Sequence, residues 1–364
     1  MDKQALALKP DWDEARERLA AWWQGRVLDR VCLGVTAPRQ HPGALPPAPD
    51  RSTLAPQDYY LNTDFRLREI EHHLPSRVYL GEAFPNASVD LGPGSLALYV
   101  GSAPGYTWET VWFEPWPPAA QGALPEYRED DPIWVGHQAL LRAVAKAGRG
   151  RYLANIPDLI EGLDIISALR GPTHLLFDLV DRPQWVHACQ ERLLELYFRY
   201  YDRCYDICRT PDGGVSFTAF QVWAPGRMAK LQCDFSAMIS PGMFHEFQTP
   251  YLRRQCQRLD YTVYHWDGPC AIQHLDELLS IPELTAIQWT PGAGHPDVWH
   301  ERWFPLYKRI REAGKGLLLI GGLDPESMDR VVRIFGPAGL YLFTSAPSEQ
   351  VGRELVARAA REWR

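Results

Sequence analysis

The sequence predicts an α/β protein, a (β/α)8 TIM barrel that carries an N-terminal helical extension. In the last hundred residues four strand-like runs, YTVYHW, TAIQWTP, GLLLIGG and GLYLFTS, are each followed by a helical pattern. Such repeating strand–helix units require parallel strands joined by crossover helices. The runs LLLI and LYLF are apolar at consecutive positions, which indicates burial on both faces. A doubly wound sheet would show the same rhythm, but the length of 364 residues favours the barrel.

The elements before this region follow from local signals. Pro10 and Asp11 mark the start of a helix that contains Leu19, Trp22 and Trp23 on one face. VCLGVT predicts a strand, a proline-rich loop follows, and a polar helix ends near residue 73. We therefore assign residues 1–75 to the helical extension and 76–364 to the barrel.

The middle of the chain supplies the first strand–helix units of the barrel. IWVGHQALLRAVAKA predicts a helix and RYLANIP a strand, and a long helix begins at Pro183. GVSFTAF and LQCDF predict further strands, and SPGMFHEFQTPYLRRQCQRLD predicts the helix after them.

Composition excludes several classes of function. The net charge of -7 argues against a nucleic-acid partner, which requires a basic face. We find no apolar run of about 18 residues and no apolar signal core at the N-terminus, so neither a membrane span nor secretion is expected. The seven cysteines are then expected to be reduced thiols in the cytoplasm, with Cys204 and Cys208 stacked in the core.

The stretch YHWDGPCAIQH, residues 264–274, marks the main candidate site. Sites in such folds lie at the carboxyl ends of the strands. His265 and Asp267 end a strand and share one of its faces, which suits a general base held by a carboxylate or a pair of metal ligands. The alternative is a histidine that caps a helix or satisfies a buried carbonyl. Cys270 and His274 are assigned to the outer helix, away from the site.

Other strand ends offer further candidates. Asp234 lies among apolar residues, where a carboxylate is costly unless it is paired, so it is the second candidate carboxylate. The remaining residues are assigned to substrate binding because they lie near strand ends and carry amide, indole or hydroxyl groups: Gln221, Trp223, Gln288, Trp289 and Ser345.

The chain resembles the uroporphyrinogen decarboxylase and cobalamin-linked methyltransferase superfamily over roughly residues 150–360. The similarity rests on DFSAMISPGMFHEFQTPYLRR, on YHWDG at a strand end, and on GGLDPE. The segment FPNASVDLGPGSLALYVGSAP is similar to an early family segment with an acidic residue, which would place Asp90 at the substrate. The resemblance implies a (β/α)8 barrel, a small-molecule substrate and a homodimer.

The departures from the family pattern concern its catalytic residues. Zinc methyltransferases of this superfamily use a His-x-Cys pair and a later cysteine. Here His265 matches, but Asp267 stands at the first cysteine and the last strand ends in Phe343-Thr344-Ser345. The resemblance therefore implies zinc or another divalent metal held by His265 and Asp267 in a more oxygen-rich site. The late Gly-His-Gly of the decarboxylases is also absent.

Three functions remain open at this point. The first is a methyltransferase of the corrinoid-linked type, with the corrinoid carried by a separate partner protein because the chain has no cobalamin-binding Asp-x-His-x-x-Gly. The second is a metal-independent decarboxylase or lyase that uses His265 with Asp234 or Asp90 for proton transfer. The third is a non-catalytic barrel that binds a ligand or a partner.

Overall fold

The computed structural model describes residues 6–117 and 122–364, so the first five residues of the predicted extension lie outside it. The strands of the described ranges are β1 (Cys32–Pro38), β2 (Arg77–Gly81), β3 (Asn86–Ala87), β4 (Ala103–Tyr106), β5 (Val111–Glu114), β6 (Leu153–Ala154), β7 (Val215–Phe217), β8 (Val222–Ala224), β9 (Met228–Gln232), β10 (Tyr261–Asp267), β11 (Ala286–Thr290), β12 (Gly316–Ile320) and β13 (Leu340–Ser345).

The helices of the same ranges are α1 (Trp12–Trp23), α2 (Pro56–Tyr59), α3 (Thr63–His73), α4 (Ser95–Tyr99), α5 (Pro132–Gly148), α6 (Gly162–Arg170), α7 (Pro172–Asp181), α8 (Pro183–Cys208), α9 (Pro241–Phe247), α10 (Thr249–Cys256), α11 (Leu275–Leu279), α12 (Phe304–Glu312), α13 (Pro325–Phe335) and α14 (Glu349–Glu362). None of these helices has the length and apolar character needed to cross a membrane.

A mostly parallel sheet forms the centre of the molecule. Its seven strands lie in the order β2-β1-β13-β12-β11-β10-β9, and only the β1–β2 pair is antiparallel. The four strands predicted near the C-terminus, β10 to β13, are neighbours in chain order, with α11, α12 and α13 as crossovers. The parallel series continues in shorter pieces, since β3 pairs with β6 and Asn155 bridges Ser216 of β7. The predicted α/β class is confirmed, and the arrangement is consistent with a TIM-like barrel.

The first 75 residues contribute to the sheet as well as to helices. β1 pairs with β13 in parallel and with β2 in the antiparallel direction. The range that was assigned to a helical extension therefore contains a strand of the central sheet. Consecutive buried residues along β1 provide the reason, because a strand covered on both faces must lie inside the sheet.

The N-terminal helix α1 covers the amino ends of the parallel strands. The Trp22 ring lies 5.5 Å from that of Tyr341, near the start of β13, and the Trp23 ring lies 5.2 Å from that of Tyr261, the first residue of β10. Both indole side chains are buried. Because the strands are parallel, their carboxyl ends lie at the opposite edge, where the predicted site residues lie.

Candidate functional site

A row of polar side chains crosses three neighbouring strands. In the parallel register His265 of β10 lies beside Gln232 of β9 and Gln288 of β11. Residues paired in this way point to the same face of the sheet. The row continues as Leu318 on β12 and Tyr341 on β13, so its polar part is confined to β9, β10 and β11. Both glutamines are buried and His265 is half-buried.

Three side chains that can bind a metal converge at the carboxyl end of this row. Asp267 is the last residue of β10, and Asp234 begins a 3-10 turn just after β9. One ligand atom each from Asp234, His265 and Asp267 lie within 4.8 Å of one another. The structure thus brings the two main candidates and the second candidate carboxylate together. We call these three residues the Asp–His–Asp cluster.

The imidazole of His265 is held in one tautomer by Gln288. The Gln288 amide group donates to the Trp289 carbonyl at 2.8 Å and to the Thr290 hydroxyl at 2.9 Å, which leaves Oε1 to accept from Nδ1 of His265 at 2.5 Å. Nδ1 therefore carries the hydrogen and Nε2 keeps its lone pair. Burial, aided by the charge of Lys230, lowers the pKa of His265. A neutral imidazole fixed through its second nitrogen is the usual state of a metal ligand.

Asp164 positions the backbone that carries Asp234. Its carboxylate accepts the N–H groups of Asp234 at 2.9 Å and of Phe235 at 2.8 Å. Burial and the charge of Asp234 raise the pKa of Asp164 to about 6. Part of Asp234 is exposed, yet the surrounding protein desolvates its carboxylate and raises its pKa too. The negative charges of Asp164 and Asp234 repel each other, and a cation bound beside them would relieve this repulsion.

A buried lysine lies one side chain away from the cluster. Nζ of Lys230 lies 2.8 Å from Oδ2 of Asp158 and also donates to Oε1 of Gln232. Nε2 of Gln232 in turn donates to Oδ2 of Asp234 at 2.9 Å. The lysine side chain is only 4% exposed, so this ammonium group is held within the protein rather than extended into solvent.

Asp90 lies behind Asp158 and does not contact the Asp–His–Asp cluster directly. It accepts the backbone N–H of Asp158 at 2.9 Å and the amide of Asn155 at 3.1 Å, and it also accepts from the hydroxyl of Ser88. Burial raises the pKa of Asp90 to about 6. Its contacts orient Asp158, which pairs with Lys230, so Asp90 is linked to the Asp–His–Asp cluster only through other side chains.

Glu161 is a buried acid in a strained loop after β6. It is 4% exposed, and neither carboxylate oxygen has a partner at hydrogen-bonding geometry in the described ranges, although Gln255 lies nearby. Burial raises the pKa of Glu161 to about 8, against the lowering effect of Lys230, so the group is mostly neutral at pH 7. The preceding Ile160 has φ 51°, a left-handed conformation that is costly for a β-branched residue.

Two of the predicted substrate-binding residues lie in the core instead. Trp289 follows Gln288 on β11, so the two-residue period of a strand turns it to the opposite face, where it packs between Trp266 and Trp303. Trp223 is fully buried against Trp12 of α1, with ring centroids 5.5 Å apart. Neither indole has a surface that a ligand can reach, so both assignments are corrected.

Two further residues predicted to bind substrate are not fully buried, since Gln221 is half-buried and Ser345 is exposed. Gln221 adopts φ 48°, and its carbonyl accepts the hydroxyl of Tyr341 at 2.6 Å, so its backbone has a packing role. Ser345 ends β13 and its hydroxyl lies 3.0 Å from that of Thr36. Because β13 is separated from β10 by β12 and β11, Ser345 lies outside the Asp–His–Asp cluster.

The thiols do not form part of this site. Six cysteines are buried, and the exposed Cys270 lies outside the cluster. His274 stacks on Phe244 at 4.5 Å, and its Nε2 lies 2.8 Å from the Ser236 carbonyl, so it has a structural role. Cys204 and Cys208 lie in the core as expected. The thiolate zinc centre of the zinc methyltransferases in this superfamily therefore does not fit these residues, whereas a carboxylate and imidazole set is present.

Sequence reasoning missed Lys230, Asp158, Asp164 and Glu161. Lys230 and Gln232 alternate along the strand MAKLQ, which is a signal for two polar groups on one face. The three acids recur at every third residue in DLIEGLD, directly after the strand LANIP. Their position after a strand could have indicated a site. Their partners could not be predicted, because Lys230 lies on β9 and Asp234 lies in the turn after it.

Comparisons with known proteins agree with the fold. No protein-family model matches the chain, and no curated protein sequence does so. A solved structure described as a methyltransferase from Methanosarcina mazei is similar, with a TM-score of 0.58 and 12% sequence identity. The similarity covers 96% of this chain and 98% of that one. At this level of identity the likeness shows a shared fold along the whole length.

Proposed function

We propose that this protein is a methyltransferase-type enzyme of the uroporphyrinogen decarboxylase and cobalamin-linked methyltransferase superfamily, acting on a small molecule. The observation that carries the proposal is the Asp–His–Asp cluster, with its neutral His265, at the carboxyl ends of parallel strands. The full-length likeness to a methyltransferase supports it. The proposal includes a closed (β/α)8 barrel, in which this cluster lies at the mouth.

The proposed cofactor is zinc or another divalent metal held by Asp234, His265 and Asp267. Such an ion supplies Lewis-acid chemistry, since it lowers the pKa of a bound nucleophile and stabilises developing negative charge. Gln288 holds the His265 ring by a 2.5 Å hydrogen bond, and Asp164 holds the backbone of Asp234. These contacts orient the ligands before the ion arrives, which reduces the cost of binding it.

The methyl group is proposed to pass between the small molecule and a corrinoid carried by a separate partner protein. This partner is proposed to approach the Asp–His–Asp cluster from the carboxyl ends of the strands. Asp234 and Asp267 are exposed there and can be reached. A homodimer, as the family resemblance implies, is part of the same proposal.

The second candidate is a metal-independent decarboxylase or lyase. A specific observation favours it: burial raises the pKa of Asp234 and raises that of Asp164 to about 6, so both carboxyl groups hold a proton more readily than an ordinary aspartate does. His265 with a free Nε2 would then act as the base and Asp234 as the acid. A non-catalytic ligand-binding barrel is the third candidate.

Elemental analysis separates the first candidate from the others. The protein is purified without a metal-binding tag, beside His265→Ala and the matched control His73→Ala, which removes an exposed histidine of α3. We expect about one divalent metal per chain in the wild type and control, and loss of metal in His265→Ala. Metal-free protein in all three samples would contradict the proposed cofactor and favour proton transfer or ligand binding.

A second experiment tests the reaction class. Metal-loaded protein is mixed with methylcobalamin, as a free stand-in for the partner's corrinoid, and with a panel of small-molecule acceptors. Loss of the methylcobalamin absorbance that depends on His265 supports methyl transfer. Release of carbon dioxide from candidate acids by metal-free protein would instead support the decarboxylase.

A further inference from the structure

We infer that the substrate binds through an oxygen group, a carboxylate or an ionised hydroxyl, placed between a cation on the Asp–His–Asp cluster and the ammonium group of Lys230, and that it is not a thiol. The inference rests on the proposed function, because it uses the same three metal ligands. It adds the chemical class of the substrate and a role for Lys230.

The donor set at the metal position is the first argument. Thiolate ligands select soft metal chemistry, whereas carboxylates suit hard cations that take further oxygen ligands. Two of the three donors here are carboxylates, and no cysteine of the described ranges joins them. Asp267 stands two residues after His265, so the strand itself delivers a carboxylate beside the imidazole. A cation held by this set favours an oxygen ligand at its open positions.

The second argument is the placement of Lys230. An ammonium group has three donors, and Asp158 and Gln232 accept two of them. We assign the third donor to an anion, since no further hydrogen-bond acceptor for it is found in the described ranges and the Phe217 ring centroid lies 5.8 Å from Nζ. The amide of Gln232 alone separates this ammonium group from Asp234, since it accepts from Lys230 and donates to Asp234 at 2.9 Å. A divalent cation at the metal position and the Lys230 ammonium group would therefore be two cationic centres facing one small region.

The third argument is the polar atoms left without partners beside Lys230. Oδ1 of Asp158 and Oγ1 of Thr218 are buried and have no hydrogen-bond partner in the described part of the chain. The backbone of Thr218 is bonded to Asn155, which also contacts Asp90, so both atoms belong to this network. Buried polar atoms are normally satisfied, and a ligand that carries a hydroxyl group would satisfy them.

The number of cationic side chains at the site limits the number of anionic groups that the substrate can carry. Lys230, through Asp158, is the one lysine or arginine of the described residues that forms an ion pair with a carboxylate of the site. The carboxylates of the site are those of Asp90, Asp158, Asp164, Asp234 and Asp267. A substrate with many carboxylates would require several cationic side chains. The site therefore suits a small molecule with one anionic oxygen group.

Glycolate and mercaptoacetate provide matched probes, because they have the same carbon skeleton and carboxylate and glycolate carries a hydroxyl where mercaptoacetate carries a thiol. The protein is loaded with Co²⁺ and each probe is titrated while the absorption spectrum is recorded. We expect glycolate to change the visible Co²⁺ bands, and mercaptoacetate to produce no sulfur-to-cobalt charge-transfer band. A strong charge-transfer band with mercaptoacetate would overturn the inference. Failure of Co²⁺ to bind would contradict the proposed metal site itself, so the two failures are distinguishable.

Variants of Lys230 test its role without assaying turnover. Lys230→Gln is expected to weaken glycolate binding by about 10- to 100-fold, the effect of losing a charge-assisted hydrogen bond, while Co²⁺ remains bound. Lys230→Arg keeps the charge and is expected to restore most of the affinity. Lys315→Gln is the matched control, because Lys315 is another buried lysine, bonded to the carbonyls of Ile281 and Pro282.

The variants also separate binding from folding. Thermal unfolding and Co²⁺ content of each variant are measured before the titration. Unchanged glycolate affinity in a folded, Co²⁺-loaded Lys230→Gln protein would overturn the role of Lys230. If Lys230→Gln does not fold, glycolate and its neutral analogue glycolamide are titrated into the Co²⁺-loaded wild-type protein, and equal affinity for the two would overturn the role of Lys230.

Discussion

Replacement of Glu161 by glutamine is expected to stabilise the protein at alkaline pH and to have little effect at acidic pH. The Glu161 carboxyl group is buried, and neither oxygen forms a hydrogen bond of normal geometry in the described ranges. Burial is the largest cause that raises its pKa to about 8. Glutamine has nearly the same shape but cannot ionise, so the variant removes only the titration.

The sign and size follow from the two pKa values. The ordinary value is 4.5, so between pH 4.5 and about 8 the unfolded chain has lost a proton that the folded protein keeps. The free energy of unfolding therefore falls as the pH rises through this window. At about 1.36 kcal/mol per pKa unit the whole window corresponds to at most about 5 kcal/mol. The lowering effect of the Lys230 charge is already contained in the pKa of about 8, so we expect a change of about 3–5 kcal/mol across the window.

Urea unfolding at a series of pH values from 4 to 8.5 provides the measurement. The difference in unfolding free energy between Glu161→Gln and wild type is compared across the series, which cancels the titration of other groups. Glu354→Gln, at an exposed position of α14, is the control and is expected to show a flat difference. A flat difference for Glu161→Gln as well would refute the view that this acid is neutral in the folded protein.

Three further predictions concern the pairing of charges and the packing around the site. Asp234→Asn is expected to raise the metal dissociation constant by about 100-fold or more, measured by chelator competition, and an unchanged constant would exclude Asp234 as a ligand. Arg30→Met removes the 2.7 Å ion pair of the buried Glu82, which keeps Arg18 at 3.6 Å and the Leu33 N–H, and is expected to lower the free energy of unfolding by about 3 kcal/mol in urea, whereas a loss below about 1 kcal/mol would contradict the pairing. Gly162→Ala is expected to lower the melting temperature by several degrees, because φ is +61° and the new Cβ would lie 2.8 Å from Gln248, and an unchanged melting temperature would contradict this strain.

Local patterns in the sequence were sufficient to predict much of the fold. The consecutive apolar residues of GLLLIGG and GLYLFTS predicted buried parallel strands, and β12 and β13 form them in the central sheet. The two-residue period of a strand placed His265 and Asp267 on one face, and their ligand atoms lie within 4.8 Å of each other. The same period, applied to Gln288 and Trp289, would have assigned only one of them to the site.

Packing between distant segments decided the rest of the site. Trp223 was assigned to a pocket wall, but the helix α1, some two hundred residues earlier in the chain, covers it through Trp12 and Trp23. The fit of one side chain against another from a distant element is not expressed in any local pattern. The same type of residue, in a similar local sequence, can therefore lie either in the core or in a binding site.

The sequence by itself determined the α/β class, the parallel strands and the end of the sheet where chemistry is expected, because these depend on apolar periodicity and on chain direction. Only the tertiary structure decided which polar groups meet there. Asp234 reaches His265 through the pairing of β9 with β10, and Lys230 meets Asp158 because β9 lies near the loop after β6. These contacts join residues far apart in the chain, and their distances arise only when the strands are placed side by side.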